Sequence, residues 1–302
     1  TMTPLQQEQF HQADQLLDQQ HYHEAAQRFA ALYEEVDEFA INRQLVRALY
    51  EDQQYAEAAF YAIEHLNDYV TSKELMQLLI NVELHAQAFI DVRVQLNALP
   101  KWHDEFIGQV EQAENEFAAH YQTTLNSQLK QFYHLGDGSF SEQQRRFRAA
   151  SHLPLKQYLI GAKFLVRDPF VNPLIRSSLM QILQRLHLTG KIAIYWLDER
   201  EHLIDLAKLS DVEAIPVVSQ VEEMIKRDFS QQDPLSYQMF NQEFHLQLAY
   251  LYPLVELAIP DAGAWYQALT AYSKSTDQDQ DVVLAKRWQN QIARLAQQLG
   301  MH

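Results

Sequence analysis

Two stretches of this chain carry nearly the same pattern. HYHEAAQRFAAL at 21–32 and QYAEAAFYAIEHL at 54–66 each place a tyrosine, then an alanine three positions on, then an apolar residue four beyond that: Tyr22, Ala25 and Phe29, and again Tyr55, Ala58 and Ala62. An apolar helical run precedes each, Leu5 to Leu17 and Leu45 to Tyr50, with polar breaks at Gln19–His21 and Asp52–Gln54. Tyr22 to Tyr55 is a step of 33 residues. A helical hairpin repeated at such a period cannot bury its apolar face alone and must stack on its copy, so the first hundred residues are committed to an array of antiparallel helices.

A third unit opens on the capping box Thr71-x-x-Glu74 and carries Leu75, Leu78, Leu79 and Val82, a further step of 33 from the second. At that step its second helix, over Ala86–Asn97, has Asp91 where alanine belongs, so the unit reads as degenerate. Thr3-Pro4 is a good helix opening, with a hydroxyl at the cap and proline at the first helical position.

These motifs resemble the tetratricopeptide half-motif Tyr-x-x-Ala-x-x-x-aromatic. The resemblance puts Tyr22 and Tyr55 at the aromatic site, with Ala25, Ala58 and Ala13 at small-residue sites where two helices cross closely; Val46 is larger than that family usually uses. It implies a solenoid whose first helices line a concave face, and carrying the step of 33 forward puts Phe10, Asp14, Leu17, Arg43, Arg47, Tyr50, Met76, Ile80 and Glu83 on that face. The family's best-known binding mode grips a terminal carboxylate with Lys and Asn; Phe10, Asp14, Gln44, Met76 and Ile80 stand in their places, and none fits. DPFVNPLIRSSLMQILQRL at 168–186 is similar to the second half of uncharacterised tetratricopeptide proteins of low-GC Gram-positive bacteria, a resemblance of architecture that implies no activity.

The longest helical pattern runs from Lys101 to His134, opened by Pro100 and closed by Gly136-Asp137-Gly138. Its stripe of Phe106, Val110, Ala113, Phe117, Tyr121, Leu125, Leu129 and Phe132 predicts one continuous amphipathic helix serving as a spine. Beyond it, helices are expected from Pro154, from Asn172-Pro173, over Val217–Phe229, over Pro234–Ile259 with a kink or split at Pro253, over Asp261–Ser273, and from Asp281 to Leu299. Only Lys191–Leu197 and His202–Leu206 break the helical period; rich in β-branched and aromatic residues, they predict a hairpin at about 191–206. The expected fold is all-α: a repeat array at 3–99, a long connecting helix at 100–135, and a helical domain with that hairpin at 139–302.

The abundance of good helix formers and the presence of only 7 glycines in 302 residues agree with that reading. With no cysteine there is no disulfide, thiolate nucleophile or zinc–thiolate site. The polar, Gln-rich start does not read as a signal peptide, and no apolar run is long enough to span a bilayer, so a cytoplasmic protein without membrane contact is expected. Gly-rich phosphate loops, His-Glu-x-x-His and Gly-x-Ser-x-Gly are absent. Glu8/His11 and Glu199/His202 have di-iron spacing without the inward carboxylates such sites need, and His21-x-His23 sits at a repeat break. No catalytic residue, metal or cofactor is expected.

Net charge is −16, unevenly placed: residues 1–130 carry −14, whereas 145–191 carry +8 from Arg145, Arg146, Arg148, Lys156, Lys163, Arg167, Arg176, Arg185 and Lys191 against Asp168. Three functions follow as expectations: a non-catalytic scaffold taking a peptide or protein on the concave face; an RNA- or ribosome-associated protein using the basic segment; or a homodimer joining acidic arm to basic middle.

Overall fold

A computed structural model describes residues 2–270 and 279–300. Among these it is 76% helical, with 17 α-helices and one two-stranded antiparallel sheet, so the chain is all-α with a small hairpin. The chain divides into two compact units: one runs to Gln122 and includes Ser151–Leu155, and the other comprises Thr123–Ala150 and Lys156 onward.

In the first unit α1 (Pro4–Asp18) and α2 (Tyr22–Glu35) form a hairpin, followed by α3 (Phe39–Glu51) and α4 (Tyr55–Glu64), a single turn α5 (Leu66–Tyr69), α6 (Lys73–His85), α7 (Phe89–Asn97) and α8 (Pro100–His120). Thr3 and Gln6 close a capping box at the start of α1. Ala13, Ala25, Ala26, Ala48, Ala58, Ala59 and Ala62 are buried, the small side chains letting neighbouring helix backbones approach. The core also encloses Asn42, whose amide donates to the Tyr61 carbonyl at 2.9 Å and accepts from the Tyr69 hydroxyl at 3.0 Å, so this buried polar group is satisfied.

Each turn from first helix to second is made by a glutamine in the left-handed region, Gln20 (φ 64°), Gln53 (φ 61°) and Gln87 (φ 61°). Their spacing is 33 and then 34 residues. The extra residue falls after the second of these turns, still within the first unit, where the place of the single helix α2 is taken by α4, an interruption at His65 (φ −115°, ψ 32°) and α5. His65 Nε2 lies 2.8 Å from Asp37 Oδ1 and Nδ1 lies 3.1 Å from Asp68 Oδ2. Burial opposes protonation of this imidazole, but the two carboxylates outweigh it and hold the pKa above the ordinary histidine value.

The spine expected over Lys101–His134 is two helices. α8 ends at His120, Tyr121 leaves helical geometry (φ −119°, ψ 40°), and α9 (Gln122–Tyr133) restarts the helix. Tyr121 is exposed and stacks on Phe117, so the apolar stripe is interrupted there, and the β-branched pair Thr123-Thr124 that follows has weak helix propensity.

The second unit continues with α10 (Phe140–Ala149), α11 (Leu155–Leu165), α12 (Pro173–Arg185), β1 (Lys191–Tyr195), β2 (Glu201–Asp205), α13 (Pro216–Phe229), α14 (Pro234–Leu251), α15 (Val255–Ala258), α16 (Ala262–Thr270) and α17 (Gln280–Gln298). Lys191 pairs with Asp205 and Tyr195 with Glu201; Ile192, Ile194 and Ile204 are buried, and Trp196 Nε1 donates to the Leu251 carbonyl at 3.1 Å. The helix expected over Pro234–Ile259 splits before Pro253 as anticipated. The end of the helix expected over Asp261–Ser273 lies outside the described residues.

Gly161 of α11 faces the ring of Phe132, and a Cβ there would lie 2.5 Å from Phe132 Cδ1. Phe132 is itself buried and stacked on Tyr158. Gly161→Ala is therefore expected to destabilise the protein by about 1–3 kcal/mol through overpacking, opposite in sign to the gain of about 1 kcal/mol that helix propensity alone would give. Thermal melting of the two proteins distinguishes the signs.

Candidate binding groove

The step of 34 residues after Gln53 decides which side chains of α6 face outward. Asn42, Val46 and Leu49 are buried in α3, and their counterparts 34 positions on, Met76, Ile80 and Glu83, are buried in α6. Arg43 and Arg47 are exposed and Tyr50 half-buried, and their counterparts are Gln77, Asn81 and Leu84. The concave-face assignment of Met76, Ile80 and Glu83 is thus corrected by one position: all three belong to the core. The same shift puts Val92, fully buried, at the position matching Ala58, in place of Asp91. Phe89 follows Tyr22 and Tyr55.

The outward face of α6 meets α8 through amides. Gln77 Nε2 donates to Gln109 Oε1 and to Asn81 Oδ1, both at 2.8 Å, and Gln109 Nε2 donates back to Gln77 Oε1 at 3.2 Å. Beside this pair opens a cleft of about 560 Å³ lined by Asn81, His85, Gln109, Gln112, Phe117 and Tyr121, among others. His85 Nδ1 lies 2.7 Å from the Asn81 carbonyl, so in the neutral ring Nδ1 donates and Nε2 accepts. The rings of Tyr50, Tyr55 and His85 pack together with centroids 4.8–5.5 Å apart. Asn and Gln offer both donor and acceptor, the combination needed to hydrogen-bond a peptide backbone, and the rings supply apolar surface beside them.

The remaining sequence-derived candidates scatter. Leu17 is buried, which corrects its placement on a partner-facing surface, and Phe10 packs edge-on against Phe29. Asp14 accepts from Gln44 Nε2, and Gln44 Oε1 accepts from Arg47 Nη1 at 3.0 Å. Of the basic residues, Arg176 is buried: its guanidinium donates to the Asp168 and Val171 carbonyls, it lies over the Tyr195 ring, and burial lowers its pKa to about 10. That corrects the expectation that Arg176 contributes to a basic surface. Arg146 donates to the His134 carbonyl, Arg167 holds Glu201 through two bonds of 2.9 and 3.2 Å, and Arg185 lies 3.9 Å from Asp211. Arg145, Arg148, Lys156 and Lys163 are exposed.

Two buried carboxylates flank the groove helices. Glu114 of α8 is held by Arg93 of α7 through bonds of 2.8 and 2.7 Å and accepts the Leu155 amide at 3.1 Å. Glu83 has no cation: burial and then the Asp91 charge push its pKa up to about 8, against a weak bond of 3.4 Å from Gln95.

Among the described residues no group of three or more His, Asp or Glu is placed to hold a metal ion, and no helix is long and apolar enough to cross a membrane. The tight space beside Arg176, Tyr195 and Tyr250 measures about 10 Å³, room for one water and no more. What the fold and the cleft define is an all-α chain presenting an amide-lined groove on stacked helical hairpins. No family model, curated protein or solved structure matches the chain.

Proposed function

We propose that this protein is a non-catalytic, cytoplasmic binding scaffold whose first unit is a tetratricopeptide-like array, and that an extended peptide or protein segment lies in the cleft between α6 and α8. The carrying observation is the polar lining of that cleft, in which Asn81 of α6 and Gln109 and Gln112 of α8 bring amides from two helices to one face, with Gln77 bonded to both Asn81 and Gln109 beside it. Such groups read main chain, which every peptide has, while Phe117 and Tyr121 offer apolar contact. The equivalent turns at Gln20, Gln53 and Gln87 support the array.

Phage-displayed random peptides selected on the purified protein test the proposal. Enriched peptides are expected to bind about tenfold more weakly to Asn81→Ala/Gln109→Ala, the equivalent of one or two net hydrogen bonds. Selection that enriches nothing, or peptides indifferent to that double substitution, would remove the groove as the binding site.

A further inference from the structure

Two exposed helix faces in different units match each other in charge and spacing. On α4, Phe60 and Ile63 are 63% and 54% exposed, and Glu57 and Glu64, seven residues apart, bracket them. Seven residues of α-helix span about 10 Å in about two turns, so the two carboxylates share a face. Neither has an ion-pair partner among the described residues; Glu64 accepts only the Tyr33 hydroxyl at 3.0 Å. On α11, Ile160 and Phe164 are 47% and 52% exposed, and Lys156 and Lys163, again seven apart, stand beside them. Neither lysine has an ion-pair partner among the described residues.

An aromatic and an aliphatic side chain left in water next to charges of one sign are unfavourable on either face alone. Set face to face and antiparallel, with Glu57 opposite Lys163 and Glu64 opposite Lys156, the spacing puts Phe60 opposite Ile160, while Ile63 and Phe164 fall at opposite ends of the contact. We propose that the α4 face of one copy docks on the α11 face of a second copy. The contact is heterologous: each copy offers one face of each kind, so association continues into a ring or an open chain instead of stopping at a two-fold pair. An interface of two short faces is small, which makes it weak, concentration-dependent and salt-sensitive.

Sedimentation of the whole protein tests this by charge exchange. At low salt the wild type is expected to grow in mass with concentration beyond a dimer, and to lose at least about tenfold in association at high salt. Glu57→Lys/Glu64→Lys and Lys156→Glu/Lys163→Glu are each expected to stay monomeric. Mixing these two variants restores opposite charges at both contacts and is expected to restore association; circular dichroism of each variant alone shows that it is folded. A wild type monomeric at every concentration and salt overturns the proposal, as does a mixture that stays monomeric while the wild type associates. Loss of salt-sensitive RNA retention in Lys156→Glu/Lys163→Glu with no change in mass would assign the α11 face to nucleic acid instead.

Discussion

Arg93→Ala is expected to cost about 3–5 kcal/mol. The guanidinium and the Glu114 carboxylate are about one-tenth exposed and meet through two bonds of 2.7–2.8 Å. Removing the cation leaves a carboxylate out of water with only the Leu155 amide, at 3.1 Å, to hold it. Because the pair joins α7 to α8, and Glu114 also holds the Leu155 amide within the same unit, the loss should appear as loosening of the groove wall and of the Ser151–Leu155 segment. Urea denaturation reads the stability, and hydrogen exchange at Leu155 reads the loosening. The double substitution Arg93→Met/Glu114→Leu is expected to recover most of the loss, since two apolar side chains of similar bulk carry no stranded charge. A double variant as weak as the single one would show that the pair, and not the burial of an orphaned carboxylate, supplies the stability.

Glu83→Leu should move stability the other way. Glu83 occupies the position that Leu49 fills one unit earlier, and both are buried. Its Oε2 is buried without a hydrogen-bond partner, so the charged carboxylate is poorly compensated where it sits. A folded-state pKa near 8, above the ordinary 4.5, means the folded protein binds this proton more tightly than the unfolded chain does. The penalty is absent below about pH 4.5, grows as pH rises, and is complete above about pH 8, where it reaches about 5 kcal/mol. Wild-type stability is therefore expected to fall across that window. Glu83→Leu should be more stable by about 2–4 kcal/mol at pH 8 and by less at pH 5. Glu83→Gln keeps the shape without the charge and should flatten the slope alone. Melting curves of the three proteins at a series of pH values check this, and parallel slopes for wild type and Glu83→Gln would exclude the buried carboxylate as its source.

Helices and their starts were legible because their causes are local. Thr3 caps α1 with Pro4 at its first position, and the hairpin falls where β-branched and aromatic residues replace the helical period; the box expected from Thr71 and Glu74 is overturned, because Ser72 caps α6 and its hydroxyl accepts from the Leu75 amide. The groove was legible only in part. Arg43, Arg47 and Tyr50 lie on the exposed or half-exposed side of α3, whereas a constant step of 33 past His65 misses Gln77 and Asn81, and nothing in the repeat spacing points to Gln109 of α8. The signal was present in the spacing of Tyr55 and Phe89, which is 34.

A periodic pattern tells which residues share a helix face, so by itself the sequence determined that this chain is helical, repeated in its first hundred residues, and acidic there. It does not tell where one face points once a single residue is added between two units, since that residue rotates the next helix by about 100°. Only tertiary packing decided that the addition is absorbed at His65 and fixed by Asp37 and Asp68, turning Met76, Ile80 and Glu83 inward and Gln77 and Asn81 outward. Packing also decided that Arg176, one of nine basic residues in its segment, is spent on two backbone carbonyls, and that Tyr121 ends α8. Burial of a charge and interruption of a helix depend on partners far away in the chain, and local spacing carries no record of them.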